Sequence, residues 1–359
     1  MTKFAFVIHP LHPKQIAKKY RWARFLPDNV LESLLRYKSP SIASHIHGIE
    51  SITGAKTEGI FVICPLTPAL MVQHMKVEKV YERIIECCEL AAKEGAQIIG
   101  LGAFTSVVGD GGITIAKHSP IPVTTGNSYT VATAIEGALK ASEILGIKPA
   151  ESTLAVVGAT GSIGKTCAQV LAPQFHKTAL IGRDLDRTAA FAETLPRAEA
   201  SVNMESLKDA DVVITVTSTD AAVIMPQHLK KGSIVVDVAR PRDVSVRVSA
   251  ERPDVLVIEG GVVRVPGPVD FGVDFGFPPQ TAYACMSETI MLALDGRMEC
   301  FTLGKDVSIE QVNEIQRLAA KHGFKLDSFR SFEREVSQES IERARQARQE
   351  LMKFAHAQS

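Results

Sequence analysis

The chain has 359 residues, 45% apolar and 22% charged, a balance typical of a globular protein with room for two or three domains and a sizeable core. Forty Lys and Arg residues offset forty Asp and Glu residues, so no global basic field points to nucleic acid. No apolar run approaches the roughly 18 residues of a membrane span, and Phe4 to Ile8 is too short for a signal-peptide core.

In chain order, Phe4 to Ile8 reads as the first strand. His9 to Phe25 then carries Lys14, Lys18, Lys19, Arg21 and Arg24 with no acid, which is either a solvated face or a surface that steers an acidic partner. Gly59 to Cys64 reads as a strand closed by Pro65. Val77 to Glu94 has helical spacing, with Glu78, Lys79, Glu82, Arg83 and Glu86 on its polar face. Gln97 to Gly102 reads as a buried strand, followed by a glycine-rich turn at Gly109 to Gly112 and a helix over Val131 to Leu145 that stops at Gly146. These pieces make residues 1–150 an N-terminal α/β domain.

Residues 151–275 contain five short, wholly apolar or β-branched runs: Leu154 to Gly158, Thr178 to Gly182, Val212 to Thr217, Ser233 to Val238 and Val255 to Glu259. Such runs, separated by helical or loop sequence, predict a doubly wound parallel sheet of the Rossmann type. Residues 276–359 turn helical, with a helix over Gln280 to Leu294, another over Ile309 to His322 and a charged tail from Ser331 to Ser359. The predicted class is α/β, with an N-terminal α/β domain, a central Rossmann domain and a helical C-terminal region.

Gly158-Ala159-Thr160-Gly161-Ser162-Ile163-Gly164 directly follows the Leu154 strand and opens a helix. Glycines suit a tight turn where the backbone approaches a pyrophosphate, and the helix N-terminus supplies free N–H groups. The next strand ends at Arg183, where an NAD site usually has an acid. Arg183 fits a 2′-phosphate and so favours NADPH, although Asp184 stands beside it. Thr217 and Ser218 follow another strand, and Gly260 and Gly261 follow the last, all at carboxyl ends where doubly wound sheets bind ligands. A short-chain dehydrogenase would need Lys four residues after a Tyr, and none of Tyr20, Tyr37, Tyr81, Tyr129 and Tyr283 has it.

The six cysteines form no C-x-x-C pair, which fits a reduced, cytoplasmic protein, and the histidines show no metal-binding spacing. Cys285 lies near a helix start, where the positive dipole end favours a thiolate. Such a thiolate could attack a thioester carbonyl. It also shares a stripe with Ala282, Met286, Thr289, Ile290 and Ala293, which suits a small core residue equally well.

Leu101-Gly102-Ala103-Phe104-Thr105-Ser106, Thr124-Thr125-Gly126-Asn127, Val157 to Gly164, Glu259 to Val263 and Ala284-Cys285-Met286-Ser287-Glu288 together resemble the fatty-aldehyde-forming acyl-(acyl-carrier-protein) reductases, best known from cyanobacteria. The likeness runs from about Gly95 to Phe324. It implies that Cys285 is the nucleophile, that NADPH is the reductant, and that an acyl carrier protein or coenzyme A delivers a long acyl chain to an apolar tunnel. Thr105, Ser106 and Asn127 would then orient the thioester, although such residues also cap turns. Backbone N–H groups near Cys285 or the Asn127 side chain would stabilise the oxyanion. Two other readings stay open: an oxidoreductase of the shikimate or glutamyl-tRNA reductase type acting on a small polar substrate, and a non-catalytic NADPH sensor.

Overall fold

The computed structural model describes every residue except 19, 20, 220, 275, 277 and 359, and the side chains of 16–18, 21, 22 and 354–358 are also outside the description. The chain divides into two compact units. Unit 1 comprises Met1–Tyr129, Val263–Lys305 and Glu314–Lys325; unit 2 comprises Thr130–Val262, Asp306–Asn313 and Leu326–Ser359. Residues 276–359 are thus shared between the units, and the first cut falls inside the helix Asn127–Leu145 rather than after it.

The sheet of unit 1 has five strands: β1 (Thr2–Ile8), β2 (Ser41–Glu50), β3 (Lys56–Ile63), β4 (Ile98–Leu101) and β5 (Val123–Thr124), in the order β2-β3-β1-β4-β5. β2 is antiparallel to β3, and the other neighbours are parallel. The register pairs Val7 with Leu101 and Gly100 with Thr124, so β1, β4 and β5 end at one edge. Successive side chains alternate between faces. Ala5, Val7, Ile99 and Leu101 pack with Val80, Ile84, Cys87, Cys88 and Ala91 of the helix Val77–Lys93. On the other face, Phe6 and Thr289 both crowd the space beside Gly100, where a Cβ would lie 2.1 Å from the Thr289 hydroxyl. Gly100 thereby lets the helix Ala284–Leu294 sit close against the sheet.

Unit 2 has a six-stranded, all-parallel sheet: β6 (Thr153–Val157), β7 (Lys177–Ile181), β8 (Ala198–Ser201), β9 (Val212–Thr215), β10 (Ile234–Asp237) and β11 (Leu256–Glu259). Their order, β11-β10-β9-β6-β7-β8, reverses direction between β6 and β9, the doubly wound pattern of a Rossmann domain. The five expected runs are five of these strands; β8, an edge strand of Ala, Glu and Ser, carries too little apolar signal to be read. The charged tail forms the helix Gln338–Gln358. It is tied to unit 2 by the buried pair Arg348–Asp211, by Lys231–Glu350 at 2.7 Å and by Arg345 donating to the Ile144 carbonyl at 3.1 Å. Lys230, the Thr153 N–H and Arg348 all donate to Asp211; against the upward push of burial they hold its carboxyl below the ordinary range. Among the described residues, no helix is long and apolar enough to cross a membrane.

Candidate active site

In unit 2 the chain leaves β6 through Gly158–Gly161 and enters the helix Ser162–Leu171. Gly158 has φ +79°, and a Cβ there would lie 2.7 Å from the Val216 carbonyl oxygen; one at Gly164 would lie 2.3 Å from the Gly158 oxygen. These are backbone-to-backbone approaches that any side chain would prevent. Gly161 caps the helix and has no side chain of its own to accept the first-turn N–H groups around Ser162 and Ile163. The loops after β6 and β9 flank the point where strand order reverses, which is where such sheets hold a dinucleotide.

Arg183 is exposed after β7. Asp184 is committed elsewhere: its carboxylate caps the helix Leu185–Ala192 by accepting the Arg187 N–H at 3.0 Å. The guanidinium of Arg187 reaches back to the Thr160 carbonyl at 3.0 Å. The β7 turn thus presents two cations, Arg183 and Arg187, beside the glycine loop. This fits a 2′-phosphate, and Arg187 went unread because only the helix cap brings it back to Thr160. After β9, Thr215 donates to buried Asp243 at 2.5 Å, and the Thr217 N–H donates to the same carboxylate at 2.8 Å. The Thr217 hydroxyl also donates to Asp243, which leaves exposed Ser218 at the loop surface. Gly260 and Gly261 follow the edge strand β11, three strands from β6, and are not brought to the glycine loop. Gly261 has φ +84°, and Val238 lies 2.8 Å from a Cβ built on Gly260, so the turn itself requires both glycines.

In unit 1 the carboxyl edge gathers His9, Gly102–Ser106, Thr125–Asn127 and Cys285. The helix bearing Cys285 begins at Ala284, not near Gln280, because Thr281–Tyr283 is a strand. Cys285 is therefore in the first turn, closer to the helix end than expected. Every other residue of Ala284–Leu294 is buried, whereas Cys285 is only half-buried. Gly126 has φ +76°, and a Cβ on it would fall 2.2 Å from the Cys285 Cα. The Thr124–Asn127 turn therefore lies directly on Cys285. Asn127, 5% exposed, opens the next helix.

Thr105 and Ser106 are buried, and their hydroxyls donate to the Gly102 and Ala103 carbonyls at 2.8 and 2.6 Å. Both hydroxyls thus spend their protons on the turn. That turn holds Ala103 at φ 48°, ψ −123°, a strained conformation for a residue with a Cβ. His9, at the end of β1, accepts the Phe104 N–H on Nε2 at 3.1 Å, and its Nδ1 meets the Pro10 carbonyl at 3.2 Å. Burial lowers its pKa to about 4, so the ring is neutral.

Glu288 lies one turn beyond Cys285 and is fully buried. Its Oε1 accepts the Thr124 and Thr302 hydroxyls at 2.5 and 2.9 Å, and its Oε2 accepts the Ser128 hydroxyl and the Tyr129 N–H at 2.5 and 3.0 Å. It is the sole charged residue of Ala284–Leu294, a signal available in the sequence. Of the other cysteines, Cys64, Cys87, Cys88 and Cys167 are buried. Burial pushes the Cys88 and Cys167 thiols up to about 12, far from a ready nucleophile. Cys300 is exposed and accepts the Val123 N–H at 3.4 Å.

The glycine loop, the reversal of strand order and the paired arginines make unit 2 a dinucleotide-binding domain. Residues 140–259 match the family described as Shikimate / quinate 5-dehydrogenase. The chain carries an NAD(P)-binding domain of the oxidoreductase kind. It is also 30% identical over 353 residues to the aminotransferase PigE of a Serratia species, a match that takes in 94% of this chain but 41% of that protein. A second relative, the long-chain acyl-[acyl-carrier-protein] reductase of Synechococcus elongatus, is 25% identical over 300 residues, or 79% of this chain and 87% of that one. Among solved structures, L-tryptophan dehydrogenase from Nostoc punctiforme aligns over 98% of this chain and 89% of its own, at 10% identity and a TM-score of 0.41.

Proposed function

We propose that the chain is an NADPH-dependent reductase that converts a long-chain acyl thioester to an aldehyde through an acyl-enzyme on Cys285. The observation that carries this reading is the partial exposure of a single residue, Cys285, in the first turn of an otherwise buried helix, with the Gly126–Asn127 turn laid against it. A core cysteine would be covered like its neighbours. The name of the Synechococcus relative supplies the substrate class, an acyl chain on a carrier protein, with coenzyme A as the other donor of the same thioester.

In the first half-reaction the Cys285 sulfur, as thiolate, bonds to the thioester carbonyl carbon and the carrier thiolate leaves. The N–H groups of the helix's first turn and the Asn127 amide are the donors suited to the oxyanion. Thr105, Ser106 and the neutral His9 ring shape the edge of the site. Gly158, Thr160, Gly161, Ser162, Ile163 and Gly164 would hold the pyrophosphate of NADPH, and Arg183 its 2′-phosphate, with Thr217 and Ser218 at the end of the neighbouring strand β9; Gly260 and Gly261, three strands away, serve their own turn. When bound, NADPH supplies the hydride that takes the acyl group to the aldehyde level. The carbon–sulfur bond to Cys285 then breaks, sulfur keeps the electron pair, and the aldehyde departs. One acyl thioester, one NADPH and one proton give one aldehyde, one thiol and NADP. An aldehyde is also a carbonyl of the kind that aminotransferases accept, which is compatible with the name of the longer Serratia relative.

Carrier docking falls to the basic run after His9. Lys19 lies outside the described residues, as do the side chains of Lys18 and Arg21; Lys14 is 3.8 Å from Asp28, and Arg24 stacks over Phe25 at 4.5 Å.

The direct test is the intact mass of the full chain after incubation with palmitoyl-carrier protein without NADPH. The expected result is one acyl adduct, absent from Cys285→Ala. No adduct with carrier-bound or coenzyme A thioesters of several lengths, or an adduct that persists in Cys285→Ala, would overturn the reading.

A further inference from the structure

We infer that Glu288 is a positioning residue that sets the spacing between Cys285 and the Gly126–Asn127 turn. This deepens the proposed function and rests on it. A carboxylate is a costly choice at a fully buried position, because it gives up its hydration and must be well paired in return. The remaining ten residues of Ala284–Leu294 are uncharged, so an apolar side chain would be the ordinary way to fill this space. What a carboxylate adds is direction. Two of its donors, Ser128 and Tyr129, lie just after Asn127, a third, Thr124, lies just before Gly126, and Thr302 braces the same segment from another loop. Thr302 fastens the segment again: its carbonyl accepts both the N–H and the hydroxyl of Thr125, at 3.0 Å each.

The turn is therefore held on both sides of Gly126–Asn127 by a group rooted one helical turn from the nucleophile. Gly126 has no slack, because a single added carbon would meet the Cys285 Cα at 2.2 Å. Glu288 cannot itself serve as the base for Cys285, since both oxygens are occupied by two donors each. It acts through the turn. A Gln at this position keeps the shape but offers one acceptor oxygen in place of two: with that oxygen turned to Ser128 and Tyr129, its NH₂ group faces the Thr124 and Thr302 hydroxyls as a donor and no longer accepts from them, so one end of the clamp opens.

The test compares wild type, Glu288→Gln and the milder Ser128→Ala in the full chain, with four readouts. NADPH affinity reports unit 2. Hydrogen exchange over residues 124–130 reports the clamp. Alkylation of Cys285 by iodoacetamide reports the accessibility of the thiol. Single-turnover acylation by palmitoyl-carrier protein, with kcat and KM, reports positioning. Glu288→Gln is expected to keep NADPH affinity and alkylation within about threefold, to lose exchange protection at 124–130, and to lose roughly 30-fold or more in acylation rate and kcat with KM little changed. Ser128→Ala is expected to show a smaller loss of the same kind.

Acylation within about threefold of wild type in both folded variants would overturn the inference. So would a loss that falls on KM or on alkylation instead of on acylation. If wild type itself accepts no acyl thioester, the proposed function fails. Unchanged exchange protection in Glu288→Gln would separately remove the clamp. Should Glu288→Gln not fold, Ser128→Ala decides by the same readouts.

Discussion

His9 carries a consequence that pH can read. Its ring is neutral in the fold because burial lowers its pKa from the ordinary 6.5 to about 4, while the Pro10 carbonyl pulls weakly the other way. The unfolded chain therefore takes up a proton first as pH falls. The stability contributed by the neutral ring is complete above about 6.5 and is lost as pH drops towards about 4. His322, buried against Ser51 and Asp295, is shifted in the same direction by burial and adds to the loss. His9→Gln, which can still accept the Phe104 N–H, should flatten the fall in urea midpoint between pH 7 and 4.5 relative to wild type. A midpoint profile in His9→Gln that parallels wild type would mean that the ring titrates normally. None of this was legible from the sequence, where His9 was simply the start of a basic run. Its partner lies 95 residues away, and the partners of Glu288 up to 164 away, so only the sheet register brings them together.

At the scale of elements, the clearest gain is in the turn between β7 and the helix Leu185–Ala192. Arg183 followed by Asp184 left the cofactor preference divided, because an acid in that turn usually holds a ribose hydroxyl. The structure assigns Asp184 to the helix cap and swings Arg187 towards Thr160. Arg183→Ala should therefore weaken NADPH binding by roughly 10- to 100-fold while NADH binding changes little. Titration of nucleotide fluorescence would show it, and equal losses for both nucleotides would contradict the assignment. The strong apolar periods of the Rossmann strands and of Ile309–His322 were plain in the sequence, and the structure reproduces that helix with the same ends. The strand Ser41–Glu50 was not visible: it is an antiparallel edge strand with two register shifts, and Ser, His and Gly interrupt its alternation. The start of the Cys285 helix was misplaced by four residues, since Pro278-Pro279 looks like a helix opening and the short strand Thr281–Tyr283 has no pattern long enough to read.

For the molecule as a whole, the two parts of the proposed chemistry are built in different units: the nucleophile and its oxyanion donors in unit 1, the glycine loop and paired arginines in unit 2. Chain order does not follow this division. The helix bearing Cys285 belongs with the N-terminal sheet, and the charged C-terminal helix belongs with the Rossmann sheet, through Arg348 and Asp211. Sequence periodicity reports elements but not which sheet an element joins, which is why a separate helical C-terminal region was expected. Acylation and reduction are likewise separable. The decisive measurement is the discharge of the isolated palmitoyl-enzyme by NADPH, followed by intact mass, nucleotide absorbance and aldehyde yield. The account predicts that the adduct disappears as one aldehyde forms for each NADPH oxidised. An adduct that persists, or that releases fatty acid with no NADPH consumed, would contradict it.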